Sequence, residues 1–353
     1  MNTPPGFIVP DQPLNAQRRI AHADPSLVGA ARRATVELGA RIPFDEKRVG
    51  REALIATELA SNLVKHARDG ELLVRALGSD RRGGLELLAI DRGPGIRNLA
   101  EALRDGVSSA GSPGTGLGAV RRLADEHDID SRVDQGTVVM ARLYAATAAR
   151  KPRVVSVGVV CQPHPGETLC GDAWDVVHVQ HGCRLIVADG LGHGPHAAAA
   201  AQTAVAVFHS EPRASPAEVL ASAHAAMRAT RGAAVFVAEV DRRRGEIRYA
   251  GIGNIAAVVL SQGNDRNLVS HNGTVGQEMR KPQQFAVPWP DDALLIVHSD
   301  GLRTKWDLAA YPGLGWRHPA IVAGTLYRDF QRGRDDITVV AVTGKAARWA
   351  TAS

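Results

Sequence analysis

Residues 145–153 read AATAARKPR, and this stretch divides the chain. Small side chains, three cationic residues and a proline leave no apolar stripe for a helix and no alternation for a strand. The stretch therefore reads as a tether. Upstream of it lie glycine-rich turns set between helices and strands. Downstream lie aspartates at the ends of apolar strands. Two domains are expected, 1–144 and 154–345, joined by 145–153 and followed by a tail at 346–353.

The 353 residues, 44% of them hydrophobic, suffice for two separate cores. No apolar run approaches the ~20 residues that span a bilayer, and the N-terminus MNTPPGFIVPDQPLNAQRR lacks the apolar segment of a signal peptide. Cys161, Cys170 and Cys183 form an odd set without framework spacing, which suits a reducing, cytoplasmic setting. Histidines 164, 178 and 181 lie near them, but no C-x-x-C pair supports zinc. The net charge of +5 is spread among interspersed acids, and aromatics are only 4%. That pattern describes a solvated surface rather than a nucleic-acid interface. The two halves share no internal repeat.

In the first half, residues 18–23 alternate like a strand, and Asp24 with Pro25 opens a helix to about Leu38. Asp45 caps a longer helix through about Ala67, with Ile55, Leu59 and Leu63 as its buried stripe. Glu58 and Asn62 lie four residues apart at the rim of that stripe, with Lys65 and His66 a turn further on. Three polar groups on one rim are costly there unless a ligand satisfies them. Strands follow at 71–77 and 85–91, the second running into DRGPGI (91–96). The segment SPGTGLGAVRRL (112–123) then sets Gly114, Gly116 and Gly118 before a helix, where backbone N–H groups can approach a phosphate. Gly136–Tyr144 closes the half as a flat apolar strand.

There is no G-x-x-x-x-G-K-[ST] segment, so this is not a P-loop. Taken in order, ELASN-x-x-KH, D-x-G-x-G and G-T-G-L-G resemble the GHKL ATPases, within them the anti-sigma-factor serine kinases and stressosome switch kinases. That resemblance implies helices layered on a mixed sheet with ATP between them. It implies that Asn62 ligates Mg²⁺, that Glu58 acts as base toward a target hydroxyl, and that Asp91 accepts from the adenine amino group. It makes Lys65, Gly93, Gly95, Gly114, Thr115, Gly116, Leu117 and Gly118 parts of the nucleotide cradle and lid, with Thr137 near the adenine. Phosphoryl transfer needs charge neutralisation and an oriented hydroxyl more than covalent help, which agrees with those roles. Arg104 is the one conspicuous phosphate ligand in the lid at 97–112. No phosphoacceptor hairpin precedes the domain, so the acceptor is expected to be a Ser or Thr on another protein.

In the second half, apolar strands at 154–161 and 183–189 frame CGDAWDVV (170–177), and the second runs into DGLGHG (189–194). Helices at 195–209 and after Ser215, strands at 234–241, 246–251 and 256–260, and a buried strand at 293–299 follow. The last helix, about 319–330, leads into RGRDDITVVAV. Aspartates 172, 189, 300, 335 and 336 thus stand at strand ends, mostly beside glycine. Each alone is an ordinary turn-former. Together they repel unless cations neutralise them, and an oxygen-only set suits Mg²⁺ or Mn²⁺.

GD-x-x-D, ADGLGHG, SDG and DDIT in this order resemble the metal-dependent protein phosphatases of the SpoIIE-type branch, notably the compact stressosome feedback phosphatases. The resemblance implies an α-β-β-α sandwich with two Mn²⁺ or Mg²⁺ ions at one edge. Asp172, Asp189 and the Gly190 carbonyl would hold metal, Asp300 and Asp335 would complete the second site, and Asp336 joins the set, although Asp335, the first Asp of DDIT, aligns better with the family's ligand. His193 is displaced from the histidine position of larger relatives and reads as structural; Asp175 is either a metal neighbour or a strand start. The whole is expected to be an α/β two-domain enzyme that phosphorylates and dephosphorylates a STAS-domain protein, an anti-sigma antagonist or stressosome scaffold. No nucleic-acid or membrane partner is expected. The alternative is a phosphatase whose first half is a non-catalytic module binding ATP or a sigma-factor partner.

Overall fold

The computed structural model describes residues 16–21, 24–78, 83–103, 116–145, 154–262 and 264–344. The first half contributes β1 (Arg18–Ile20), α1 (Ser26–Gly39), α2 (Glu46–His66), β2 (Glu71–Ala76), β3 (Gly84–Ile90), the single turn α3 (Leu99–Ala102), α4 (Gly116–Leu123), β4 (Glu126–Arg132) and β5 (Gly136–Tyr144). The second contributes β6 (Ser156–Gln162), β7 (Asp172–Val179), β8 (Gly182–Gly190), α5 (Pro195–Ser210), α6 (Pro216–Ala226), β9 (Ala233–Asp241), β10 (Glu246–Ile252), β11 (Ala256–Leu260), β12 (Arg266–Leu268), β13 (Phe285–Pro288), β14 (Leu294–His298), α7 (Pro319–Phe330) and β15 (Ile337–Thr343).

Local chemistry accounts for the helix starts. Asp45 accepts from the Arg48 N–H to cap α2, and Ser215 with Glu218 forms a reciprocal capping box on α6. For α1 the cap position falls on Pro25 rather than Asp24, although the Asp24 carboxylate still accepts from the Ser26 N–H at 2.7 Å.

Three five-stranded sheets result, in orders β1-β2-β3-β5-β4, β13-β10-β9-β8-β7 and β12-β11-β14-β15-β6. The layered α/β arrangement expected of the first half is present. Its sheet, expected to be mixed, is antiparallel in every pairing among the described residues. Helices α1, α2 and α4 cover one face, where Leu85, Leu87 and Ala89 alternate inward from β3. In the second half α5 and α6 cover the sheet of β7 to β10 and β13. That sheet packs on the remaining one through Val187, Phe236, Tyr249, Leu295 and Val340. Helix α7 closes the far side, giving the α-β-β-α order.

The outer face of α7 meets the first half. Leu88, Ile90, Val138 and Met140 share one core with Val160, Ile296, Leu326, Tyr327 and Val339. Every residue of α7 from Pro319 to Arg328 is buried, as befits a helix with a sheet on either side. Two glycines let α7 fit between the sheets, Gly158 on the side of β6 and Gly324 on the side of the first half. A Cβ at Gly158 would stand 1.9 Å from the Ala320 nitrogen, and one at Gly324 would stand 3.0 Å from Val138. Residues 146–153, read as the tether, lie outside the described residues, but the segments they join do not hang apart. Asp128 accepts from the His318 N–H at 2.7 Å, and Tyr327 donates to Glu71 at 3.2 Å.

One buried acid has no such partner. Glu52 of α2 is 1% exposed, its Oε2 finds no hydrogen bond, and it faces Gly39 of α1. Burial pushes its carboxyl up to about 7. A folded value above the unfolded one means that stability is complete below about 4.5 and falls as pH rises through 7. Glu52→Gln is therefore expected to raise stability by about 1–3 kcal/mol at pH 8. Urea midpoints should separate at pH 8 and converge near pH 5; equal midpoints at both values would show that the charge is not penalised.

Candidate functional sites

The rim of α2 carries the first candidate. Glu58 and Asn62 lie half-buried one turn apart, and the Asn62 Nδ2 is buried without a hydrogen-bond partner. A side-chain amide in that state costs roughly 1–3 kcal/mol unless a ligand engages it. The DRGPG turn is fastened to the end of the same helix. Arg92 N–H donates to the Arg68 carbonyl at 2.9 Å, and a Cβ on Gly93 would press on the His66 carbonyl at 2.8 Å. Asp91 ends β3, exchanges backbone hydrogen bonds with Thr137 on β5, and accepts from the Gly93 N–H at 2.6 Å. Burial raises its carboxyl, opposed chiefly by the backbone hydrogen bonds from Gly93 and Thr137.

Gly95 sits at φ +69, where a Cβ would strike the Arg132 carbonyl at 2.1 Å, so only glycine serves there. The Thr137 hydroxyl lies 2.8 Å from that of Ser131, which in turn accepts from the Ile96 N–H at 2.8 Å. Ser131 was not foreseen because β4, EHDIDSR, is too polar to read as a strand. Asn62, Asp91, Gly93, Gly95 and Thr137 are thus tied to one end of the helix–sheet layer. Gly116, Leu117 and Gly118 open α4, which packs against α2. Lys65 is exposed on α2. Gly114, Thr115 and Arg104 lie outside the described residues.

The second candidate is a corner of aspartates. Asp172 on β7 stands directly opposite Asp189 on β8, and like charges in that register repel. Asp172 Oδ2 accepts from the Ser299 hydroxyl at 2.7 Å, while its Oδ1 is buried without a partner. Asp300, just after β14, accepts from Asn254 Nδ2 at 2.8 Å. Asp336, entering β15, accepts from the His164 N–H at 2.8 Å, and its Oδ2 is also buried without a partner. The neighbouring glycines let backbones close in. A Cβ on Gly171 would fall 2.4 Å from Asp336 Oδ2, and one on Gly301 would fall 2.0 Å from the Asp336 carbonyl.

Burial first, then the charges of Asp172, Asp300, Asp335 and Asp336, pushes Asp189 up to about 9. Asp172, Asp300 and Asp336 are raised as well, each mainly by burial. The acids therefore feel one another, although no three His, Cys, Asp or Glu side chains among the described residues converge on one point.

The donor set still fits a hard divalent cation: it is all oxygen, two of the oxygens are buried and unsatisfied, and burial beside other acids penalises the charged form of Asp189, a penalty that a cation would offset. Asp172, Asp189, the Gly190 carbonyl, Asp300 and Asp335 would hold it, with Asp336 the better-buried alternative to Asp335. Bound there, such a cation supplies Lewis acidity toward a phosphoryl group. Ser299 and Asn254 position two of the acids. Both lie beside quoted motifs, yet neither residue type signals that role in sequence.

His193 is exposed, pairs with Glu167 at 2.8 Å and stacks on His164 with ring centres 4.5 Å apart. Asp175 pairs with His209 at 2.5 Å. A groove of ≈ 580 Å³ lined by Asp265, Asp292, Trp306 and Trp316 opens elsewhere and includes none of these residues.

Residues 21–143 match the family described as histidine kinase-like ATPase domain, and residues 180–345 match stage II sporulation protein E. Serine/threonine-protein kinase RsbT of Bacillus subtilis (strain 168) is 31% identical over 112 residues, which are 32% of this chain and 84% of that protein. The chain belongs to the histidine kinase-like ATPases, fused to a SpoIIE domain. Among solved structures, one described as "The bacterial stressosome: a modular system that has been adapted to control secondary messenger signaling" is 30% identical, with a TM-score of 0.50, over 53% of this chain and 98% of that one. A structure of RsbX in complex with magnesium is 19% identical, with a TM-score of 0.49, over 53% of this chain and 94% of that one. The ATPase half carries the Asn62 rim and the Asp91 turn; the SpoIIE half carries the aspartate corner. The two therefore imply, respectively, a nucleotide and divalent metal. Among the described residues no helix is long and apolar enough to cross a membrane.

Proposed function

We propose that this chain sets the phosphorylation state of a Ser or Thr on a STAS-domain protein, an anti-sigma antagonist or stressosome scaffold, adding phosphate with one half and removing it with the other. The observation that carries the reading is the pair of unsatisfied polar clusters, one in each half: the partnerless Asn62 amide beside Glu58, and the buried, partnerless carboxylate oxygens of Asp172 and Asp336 in the corner they share with Asp189. Asn62 would hold the magnesium of ATP, Asp91 would receive the adenine amino group, and Glu58, one helical turn from Asn62, would take the proton of the target hydroxyl. In the other half Ser299 and Asn254 hold Asp172 and Asp300, which would bind the divalent cation that supplies Lewis acidity toward the phosphoryl group. Having both activities on one chain raises the local concentration of each near a shared partner.

Incubation with labelled ATP, Mg²⁺ and a panel of STAS proteins tests the reading, with phosphosite mapping with and without a chelator. Wild-type protein is expected to transfer label and then release it on adding Mn²⁺. Glu58→Ala should lose transfer by roughly 10²–10⁴-fold while still binding ATP. Transfer that survives this substitution removes Glu58 as the base. No transfer to any STAS protein, with hydrolysis intact, favours a first half that binds nucleotide only to regulate its neighbour.

A further inference from the structure

Two thiols stand beside the aspartate corner. Cys161, on β6, and Cys170, two residues before Asp172, bring their sulfurs to 3.6 Å. Both are half-buried, whereas Cys183 is fully buried. Each sulfur is held in place by a second contact. The Thr338 hydroxyl donates to Cys161 Sγ at 3.3 Å, and Cys170 Sγ donates to the Gln162 carbonyl at 3.3 Å. A disulfide needs an S–S distance of about 2.05 Å, so the pair must close by roughly 1.5 Å. Cys170 lies in the irregular segment between β6 and β7, which can supply that movement more readily than the paired strand β6.

We propose that Cys161 and Cys170 form an oxidisable dithiol, a modification site for hydrogen peroxide or an organic hydroperoxide. One sulfur attacks a peroxide oxygen; the O–O bond breaks, water or alcohol leaves, and a sulfenic acid forms. The second sulfur attacks the first, the S–O bond breaks and water leaves. The two thiols lose two electrons and two protons to one peroxide, and a thiol reductant reverses the step. Closure draws Cys170 toward β6, and with it the Gly171–Asp172 segment that faces Asp336 and Asp189. The site therefore lies where oxidation would disturb the acids of the SpoIIE half. The sulfur chemistry itself does not depend on the phosphatase reading.

Intact, full-length protein exposed to peroxide, then denatured and alkylated, is expected to show one labelled cysteine of the three, and all three after dithiothreitol. All three cysteines fall between Arg153 and Arg184 on one tryptic fragment, so cleavage after Glu167 is needed to separate Cys161 from Cys170. Only a disulfide then keeps those two fragments together. Cys183→Ser should form the bridge unchanged, while Cys161→Ser and Cys170→Ser should not form it. Three labelled cysteines after peroxide, a bridge that includes Cys183, or oxygen addition that dithiothreitol does not reverse would each overturn the proposal. The thiol count reads the sulfurs alone and the Mn²⁺ dependence of melting reads the acids alone, so failure of one is distinct from failure of the other.

Discussion

Asp189→Asn is expected to lower cation-dependent phosphate release at least about 100-fold, since even residues behind a metal ligand are worth 10–100-fold. It is expected at the same time to stabilise the protein in the absence of divalent cation. Asp189 faces Asp172 across β7 and β8 and shares its corner with Asp300, Asp335 and Asp336. Removing one of several mutually repelling acids relieves up to about 1 kcal/mol from the cross-strand pair alone. Activity and stability should therefore move in opposite directions. Melting curves with and without Mn²⁺, alongside hydrolysis of an aryl phosphate, measure both. The wild type should gain melting temperature with Mn²⁺ and the variant should not. A variant that keeps the Mn²⁺ response would show that Asp189 takes no part in holding the ion.

Glu86→Ala should be the most destabilising single change among the buried charges. Glu86 is 0% exposed and lies between Arg75 on β2 and Arg142 on β5, its partners in the sheet register. Arg75 Nε reaches one carboxylate oxygen at 2.6 Å and Arg142 Nε the other at 2.7 Å. Burial alone would raise the Glu86 carboxyl, but the two guanidinium groups outweigh it and hold it below the ordinary value. Its stabilisation is therefore present above pH 4.5 and is lost as pH falls through the lowered value.

Without it Arg75 loses its ion-pair partner and Arg142 keeps only the 3.5 Å ion pair with Glu126, at a cost of about 3–5 kcal/mol, or a fall in melting temperature of roughly 5–15 °C. The effect should reach both halves, because Arg142 also donates to the Val157 carbonyl at 2.7 Å and Arg75 lies over the Trp174 ring at 5.1 Å. Calorimetry should show one transition moving as a whole. Two transitions, of which only one shifts, would mean that the halves unfold separately.

The candidate sites were partly legible before any fold was known, for a definable reason. Glu58 and Asn62 sit on one helix, where spacing alone puts them together, and Asp91 with Gly93 and Gly95 sits in one turn. The aspartates come from four distant segments, and only their shared place at strand ends linked them. Ser299 and Asn254 escaped notice because hydroxyls and amides near a motif have many ordinary uses, and only a tertiary contact selects one.

What the chain determines locally is the helices and most strands: the Asp45 and Ser215 caps, the Ile55–Leu59–Leu63 stripe, and the apolar alternation in each sheet all follow from nearest-neighbour chemistry. What the tertiary structure decided is how the halves meet. Gly136–Tyr144 is buried along its length because helices cover one face and α7 the other. The Arg75–Glu86–Arg142 row is likewise sealed beneath the second half. No local period encodes that contact, because a strand's own alternation names its two faces but not what lies against them.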